Sequence, residues 1–254
     1  MKLKFSANLS MMFTEKPSYC ERYKAAKDAG FKYVEFGFAY HELIQSLKDT
    51  KEAAGVEQVL INAWPGDLSK GEIGIAALKE KQKEFDEKLE TTIEYAKALN
   101  CKRVHVMAGL KNGSSEEEMK KTYVDNLRKV AARFEKEDII GLIEPINSRI
   151  TIPKYYLTDI HEAVNIVRSI NSPNLKLQFD AFHIQIMDGN LTENLKKYLP
   201  YIGHIQVAQV PDRGEPDDKG EINFRYLFKL LEELNYNGFV GLEYKPRGTS
   251  CLQV

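Results

Sequence analysis

The chain has few cysteines and no long apolar segment, and both shortages limit the kind of protein it can be. Its 254 residues include three cysteines, Cys20, Cys101 and Cys251, without a C-x-x-C pair. Neither a zinc ribbon nor a disulfide framework is therefore supported. No apolar run approaches the ~20 residues that span a bilayer, and the first eight residues are too mixed for a signal peptide. We expect a cytoplasmic protein with no membrane partner.

An excess of charge of one sign is also missing. The 36 Lys and Arg residues against 37 Asp and Glu residues leave a formal net charge of −1. A nucleic-acid binder needs a basic surface that displaces counterions from phosphates, so no nucleic-acid partner is expected. The phosphate-binding pattern G-x-x-x-x-G-K-[ST] does not occur either. The remaining composition, 43% hydrophobic and 29% charged, is that of an ordinary globular protein.

Short apolar runs alternate with longer amphipathic stretches along the chain. The runs are rich in Val, Ile, Leu and Phe, which is typical of parallel strands buried on both faces. The predicted strands are residues 3–7, 33–36, 58–62, 103–107, 139–144, 175–180, 202–207 and 239–243. The predicted helices are residues 17–29, 78–99, a stretch that begins after residues 114–118 (SSEEE), and residues 158–170, 191–199 and 224–234.

Eight strands separated by helices predict a (β/α)8 TIM barrel of the α/β class, with residues 1–254 as one domain. A doubly wound sheet is the structural alternative, but a dinucleotide-binding one carries a glycine-rich turn after its first strand. Here residues 8–13 contain no glycine. Residues 244–254 show no amphipathic repeat. We therefore expect an incomplete eighth helix, with exposed apolar surface across strands eight and one.

Oxygen-bearing polar side chains end the last four predicted strands. They are Glu144, Asp180, Gln206 and Glu243. Because barrel chemistry collects at the C-terminal ends of the strands, these side chains are expected to meet at one mouth. Converging carboxylates repel one another, and a divalent cation relieves that repulsion, with Mg²⁺ or Mn²⁺ suited to oxygen ligands. Taken singly, each acid is more often an exposed loop residue.

Histidine and arginine give weaker signals. His183 follows Asp180 closely enough to reach the same mouth, whereas His105 falls inside the fourth strand, where a hydrogen-bonded core imidazole is the expected role. Arg213 lies in a segment rich in Pro and Gly, residues 211–221. Its guanidinium could bind a substrate carboxylate with two hydrogen bonds, and a solvated loop arginine is the alternative.

Several longer segments are more specific than any single residue. They are residues 5–13 (FSANLSMMF), 34–36 (VEF), 65–67 (PGD), 70–72 (KGE), 144–147 (EPIN), 187–192 (MDGNLT), 203–208 (GHIQVA), 213–216 (RGEP) and 241–246 (GLEYKP). Together they resemble the hydroxypyruvate isomerase family, within the xylose isomerase-like barrel superfamily. The resemblance runs from Lys4 to Gly248.

The resemblance implies a metal-assisted isomerase that interconverts hydroxypyruvate and 2-hydroxy-3-oxopropanoate (tartronate semialdehyde) through an enediolate. It further implies a small keto acid as the partner molecule and leaves a homo-oligomer open. The implied roles are acid/base catalysis by Glu144 and Glu243, metal binding by Glu144, Asp180, Gln206 and Glu243, and substrate binding by His183, Arg213 and Glu215. Related epimerases usually carry His where Gln206 stands, and the amide disfavours zinc.

Three alternatives stay open at this point. A 2-oxo-tetronate isomerase shares the start of the chain, residues 8–15, and residues 245–248, while residues 144–147 favour hydroxypyruvate. A phosphodiester hydrolase is the second, because DNA-repair endonucleases share the superfamily. That class needs a histidine-rich zinc site and a basic face, and the chain has five scattered histidines. A non-catalytic barrel is the third.

Overall fold

Eight parallel strands close into a barrel in chain order, and the last strand returns to pair with the first. The computed structural model describes residues 2–217 and 219–248. The strands are β1 (Lys4–Asn8), β2 (Tyr33–Glu35), β3 (Glu57–Asn62), β4 (Arg103–His105), β5 (Ile140–Ile143), β6 (Leu175–Asp180), β7 (Ile202–Val207) and β8 (Phe239–Leu242). The predicted barrel is confirmed, with each predicted strand boundary within about two residues of the observed one.

Helices follow the strands and cover the outside of the barrel. They are α1 (Tyr19–Asp28), α2 (Ile44–Ala54), α3 (Gln82–Ala98), α4 (Glu116–Glu135), α5 (Ile160–Ile170), α6 (Ala181–Met187), α7 (Leu191–Tyr198) and α8 (Phe224–Glu233). Two of these helices, α2 and α6, were not predicted. Among the residues described, no helix combines the length and apolar character that crossing a membrane requires.

The longest helix, α4, shows how the outer layer is fixed. Ser115 caps its N-terminus by accepting a hydrogen bond from the Glu118 N–H at 3.1 Å, and acidic residues in the first turn favour the positive helix end. On the inner face Leu127 and Phe134 are fully buried, and the Tyr123 hydroxyl donates to the Val106 carbonyl at 3.0 Å. Apolar burial and one cross-layer hydrogen bond thus seat α4 beside β4 and β5.

Side-chain alternation on β6 separates the apolar layer from the barrel interior. Leu175, Leu177 and Phe179 are fully buried and belong to the main hydrophobic core. Gln178 and Asp180 occupy the other face of the strand, where both are also buried. The polar face of this strand therefore supplies groups to the mouth of the barrel.

The barrel closes where β8 meets β1, with Ala7 paired to Leu242. Residues 243–248 form no helix, and residues 249–254, on which most of the predicted incomplete helix falls, lie outside the described residues. The expected exposed apolar surface at this junction is not found within the described part of the chain. Its exposed large apolar residues are Leu43, Leu68, Ile150 and Tyr226, none of them on β1 or β8. Phe228 of α8 packs against Phe5 there, with ring centroids 5.2 Å apart.

Candidate active site

The predicted strand-end residues gather at the C-terminal mouth of the barrel. Glu144, Gln206 and Glu243 line one cavity of about 220 Å³. Asp180 lies against the same cavity, because its Oδ2 is 3.5 Å from Nη2 of Arg213, which also lines it. Glu144 and Glu243 each come directly after a strand, β5 and β8, so the barrel backbone fixes their positions.

Glu144 is a buried carboxyl that favours its neutral form. Burial raises its pKa well above the ordinary value, and the negative charges of Glu243 and Asp180 raise it further, while Arg213 opposes them. Its Oε2 lies 3.5 Å from Nδ1 of His105. That distance is too long for the hydrogen bond expected of His105, whose Nε2 has no partner among the described residues. Burial lowers the pKa of His105 to about 3, so the ring is neutral.

The two carboxylate oxygens of Asp180 have different neighbours. Its Oδ1 accepts a hydrogen bond from the Phe182 N–H at 2.8 Å and so caps α6. Its Oδ2 faces Arg213 and lies 3.4 Å from Nε2 of His183. Burial raises the pKa of Asp180, and the positive charge of Arg213 counteracts this rise. The short helix α6 therefore begins at a residue that also belongs to the acid cluster.

Glu243 is held on both oxygens. Its Oε2 accepts from Arg213 Nη2 at 2.7 Å, and its Oε1 accepts from Asn8 Nδ2 at 3.2 Å. Burial raises the pKa of Glu243 to about 8 despite Arg213, and the charges of Asp180 and Glu35 act in the same direction as burial. Arg213 itself is 9% exposed, with its guanidinium 5.0 Å from the centre of the Phe182 ring. The structure thus places Arg213 beside the acids. Its contact with a substrate carboxylate stays a prediction.

A buried network beneath the mouth orients Gln206. Its Nε2 donates to Glu35 Oε1 at 2.8 Å, and its Oε1 accepts from Gln178 Nε2 at 2.6 Å. Glu35 is fully buried and also binds the Ser6 hydroxyl at 2.7 Å and His204 Nε2 at 2.9 Å. Although burial alone raises the pKa of Glu35, these partners lower it below its ordinary value.

Unpartnered oxygens make the mouth suitable for a cation. Glu144, Asp180 and His183 each offer an atom within 4.8 Å of the others. In the described chain, Glu144 Oε1, Asp180 Oδ2 and Gln178 Oε1 are buried without a hydrogen-bond partner. Buried polar atoms normally have hydrogen-bond partners, so three buried oxygens without one indicate that a further group binds there. Oxygen atoms are the ligands that hard divalent cations bind, and a metal ion therefore fits this donor set.

Glu215 is not brought to this cavity. Its Oε1 accepts from the Arg247 N–H at 2.8 Å, and its Oε2 accepts from the Arg247 guanidinium. Those bonds lower the pKa of Glu215, although burial opposes them. The pair ties the loop after β7 to the segment after β8. The predicted contact of Glu215 with substrate therefore requires this pair to open.

Sequence reasoning missed Glu35, Gln178 and Asn147. One signal could have found Glu35: a charged residue inside an apolar strand is costly unless it is paired. Its partner His204 is 169 residues away in sequence, and no local pattern indicates such a contact. Gln178 sits two residues before Asp180, so period-2 alternation places it on the same face.

Known proteins match both the sequence and the fold. A family model described as xylose isomerase-like TIM barrel matches residues 23–251. The chain is 51% identical to the putative hydroxypyruvate isomerase of Danio rerio over 253 residues, which is 98% of this chain and 92% of that one. The chain belongs to the hydroxypyruvate isomerase family. It is 42% identical to the hydroxypyruvate isomerase of Escherichia coli K12 over 249 residues, covering 98% of this chain and 95% of the relative.

Members of the hydroxypyruvate isomerase family are close in sequence to relatives with another named substrate. A 2-oxo-tetronate isomerase of Pectobacterium atrosepticum is 41% identical over 246 residues, covering 96% of this chain and 93% of its own. A crystal structure from Brucella melitensis, described as an AP endonuclease of family 2, superposes with a TM-score of 0.94 at 40% identity and covers 97% of this chain and 95% of that one. The names of the curated relatives, hydroxypyruvate isomerase and 2-oxo-tetronate isomerase, support a keto-acid isomerase.

Proposed function

We propose that the protein interconverts hydroxypyruvate and 2-hydroxy-3-oxopropanoate by proton transfer between neighbouring carbons. The observation that carries this proposal is a pair of glutamates on one cavity beside Arg213, with Glu144 buried and Glu243 mostly buried. An aldose–ketose exchange needs a base that takes a proton from one carbon and an acid that returns one to the next. Two carboxyls on the walls of one cavity meet that requirement.

The isomerisation moves two protons within the substrate. It is redox-neutral overall, so it needs no oxidant or reductant. One glutamate removes a proton from C3 of hydroxypyruvate, which leaves an enediolate. A glutamate then returns a proton to C2, while the proton of the C3 hydroxyl passes to the C2 oxygen, so that C3 becomes the aldehyde and C2 carries the hydroxyl. Arg213 holds the substrate carboxylate, since a guanidinium donates two parallel hydrogen bonds to such a group. Glu144 is 4% exposed and the side chain of Glu243 is 19% exposed, so little bulk water reaches the two proton-transfer groups.

Glu144, Asp180, Gln206 and Glu243 are the residues that would hold a divalent cation, and Mg²⁺ or Mn²⁺ suits their oxygen donors. When bound, such an ion supplies a Lewis acid that favours loss of the C3 proton. The unpartnered oxygens of Glu144 and Asp180 support this assignment. Gln206 supports it less directly, because its Oε1 already accepts one hydrogen bond from Gln178.

The test is turnover followed by NMR, with hydroxypyruvate and 2-oxo-tetronate side by side and with or without a chelator. We expect Glu144→Gln and Glu243→Gln each to lower the rate on the order of 100-fold or more, because each removes one proton-transfer group. Glu117→Gln, on the exposed side of α4, is the matched control and should keep the normal rate. Near-normal turnover by both site variants would contradict the proposal, as would cleavage of abasic-site DNA by the metal-loaded protein.

A longer keto acid is the second candidate substrate. Ser10 after β1, Tyr19 at the start of α1 and Asn62 at the end of β3 line the same cavity as Glu144 and Glu243. Their polar atoms offer partners to a further hydroxyl that hydroxypyruvate lacks. A higher kcat/KM on 2-oxo-tetronate than on hydroxypyruvate in the same assay would favour this candidate.

A further inference from the structure

Asn147 is a buried side chain whose polar atoms all take part in hydrogen bonds. It lies three residues after Glu144 and is 0% exposed. Its Oδ1 accepts from the backbone N–H groups of Ile150, at 3.0 Å, and Thr151, at 3.1 Å. Two N–H donors at one end of an amide identify that end as the oxygen. The NH₂ group must therefore face His183 Nδ1, 2.7 Å away, and Thr151 Oγ1, 2.9 Å away.

This orientation decides which nitrogen of His183 carries the proton. The NH₂ group of Asn147 can only donate, so Nδ1 of His183 is the acceptor. A neutral imidazole whose Nδ1 accepts carries its proton on Nε2. Nε2 is the nitrogen on the side of Asp180, whose Oδ2 is 3.4 Å away. His183 lines the cavity, and it therefore presents an N–H group on the side of the acids.

A protonated nitrogen has no lone pair for a metal ion. Glu144, Asp180 and His183 are close enough to share a cation, yet with Nε2 protonated only the two carboxylates can bind it. The cation site then has oxygen ligands alone, which suits Mg²⁺ or Mn²⁺ better than zinc. The same N–H group is free to donate to an oxygen of a bound molecule.

We propose that Asn147 is a positioning residue that fixes His183 as a hydrogen-bond donor to the substrate and prevents it from ligating the metal. The identity of the acceptor, an oxygen of a keto acid, rests on the proposed function. The assignment of the tautomer rests on the hydrogen bonds of Asn147 alone. Asn147 acts through His183 and touches neither the substrate nor the metal.

The tautomer is measured by NMR on metal-free protein labelled with ¹⁵N-histidine, with the His183 signals assigned from the His183→Gln variant. We expect a pyridine-type resonance for Nδ1 and a pyrrole-type resonance for Nε2. A pyrrole-type Nδ1, or two averaged resonances, would overturn the proposal. The measurement needs neither substrate nor turnover, so a failure to isomerise hydroxypyruvate would count against the proposed function and leave this result unchanged.

Asn147→Asp is the informative substitution. One carboxylate oxygen keeps both backbone N–H partners, and the other can only accept, so it draws a proton onto Nδ1 of His183. We expect a pyrrole-type Nδ1 resonance, and a ratio of zinc to magnesium affinity that rises roughly 10- to 100-fold in calorimetry, the range known for changes of a partner that orients a ligand. We expect kcat/KM to fall by a similar factor.

Thr151→Val is the matched control. It removes the second acceptor of the Asn147 NH₂ group but leaves the bond to His183 in place, so the tautomer and the metal preference should stay those of the natural chain. Unchanged His183 resonances in a folded Asn147→Asp protein would overturn the proposal. So would an equal change of tautomer in both variants, because that would assign the effect to the loop rather than to Asn147.

Discussion

Binding of a divalent cation should release protons near pH 7, because one of the acids that would hold it, Glu243, has a pKa raised to about 8. Burial raises the pKa values of Glu144, Asp180 and Glu243. A cation favours the ionised form of each carboxyl, so its binding expels the protons they hold. The perturbation is titration of Mn²⁺ into metal-free protein at constant pH.

The expected number of protons follows from the pKa shifts. With a pKa of about 8, Glu243 holds its proton in about nine of ten molecules at pH 7. The pKa of Glu144 is raised in the same direction, and any proton that it holds adds to the release. We expect about one proton or more per bound ion.

The assay is calorimetry in two buffers with different enthalpies of ionisation, since the difference in apparent binding heat gives the number of protons released. Glu243→Gln should lower that number by about one, because the amide has no proton to lose. Glu117→Gln should leave it unchanged. A binding heat that is independent of the buffer would show that cation binding releases no protons from these acids. An equal release from the Glu243→Gln protein would show that the protons do not come from Glu243.

The same shifts predict how stability depends on pH. Folded-state pKa values above the unfolded ones mean that the folded protein binds more protons, so stability falls as pH rises. For Glu243, the loss of stability runs from pH 4.5, its ordinary pKa, to about pH 8, its pKa in the folded protein. A bound cation cancels this loss because it stabilises the ionised carboxylate. Mn²⁺ should therefore raise the melting temperature more at pH 8 than at pH 5.5. An equal increment at both pH values would contradict this.

Three substitutions, one of them paired with a control variant, test other parts of the structure. Gly241→Ala should destabilise the fold by about 1–3 kcal/mol in urea unfolding, because its Cβ would collide with the Glu35 carboxylate, whereas Gly248→Ala meets no atom within 4 Å and should be neutral; equal midpoints would contradict this. Arg213→Lys should lower kcat/KM by about 10-fold or more, because an ammonium cannot replace the two-pronged guanidinium; an unchanged value would argue against a carboxylate contact. Glu215→Gln should change KM less than about 5-fold, because the partly exposed pair with Arg247 contributes little; a much larger rise would show that Glu215 reaches the substrate.

Sequence patterns predicted the barrel well because its strands are rich in apolar residues and largely buried. The run at residues 175–180 contains Leu175, Leu177 and Phe179, and the structure has a strand over the same residues. Helix α2 was missed because its cap residue Leu43 offers no side-chain hydrogen bond and the helix buries just Leu47 and Lys51. Such a segment lacks both a start signal and an apolar face.

The residues predicted at the strand ends lie at one mouth because barrel geometry brings all C-terminal strand ends to one side. Alternation and spacing could not predict which side chains form hydrogen bonds or ion pairs with each other. Arg213 is 30 residues from Glu243 in sequence and lies in a loop whose path no local rule determines. Glu35 and Asn147 matter through partners from other strands and helices, and such contacts exist only after folding.

The pairing of β8 with β1 has a consequence for the order in which the protein matures. Glu243 stands at the end of the last strand, and its Asn8 partner at the end of the first, 235 positions earlier. Contacts so distant in sequence form late and slowly, because a long loop must close first. A nascent chain that lacks β8 has two open sheet edges and an acid cluster without Glu243. We therefore expect activity to appear only once the two ends of the sheet have joined, so that an activity assay reports on completed folding.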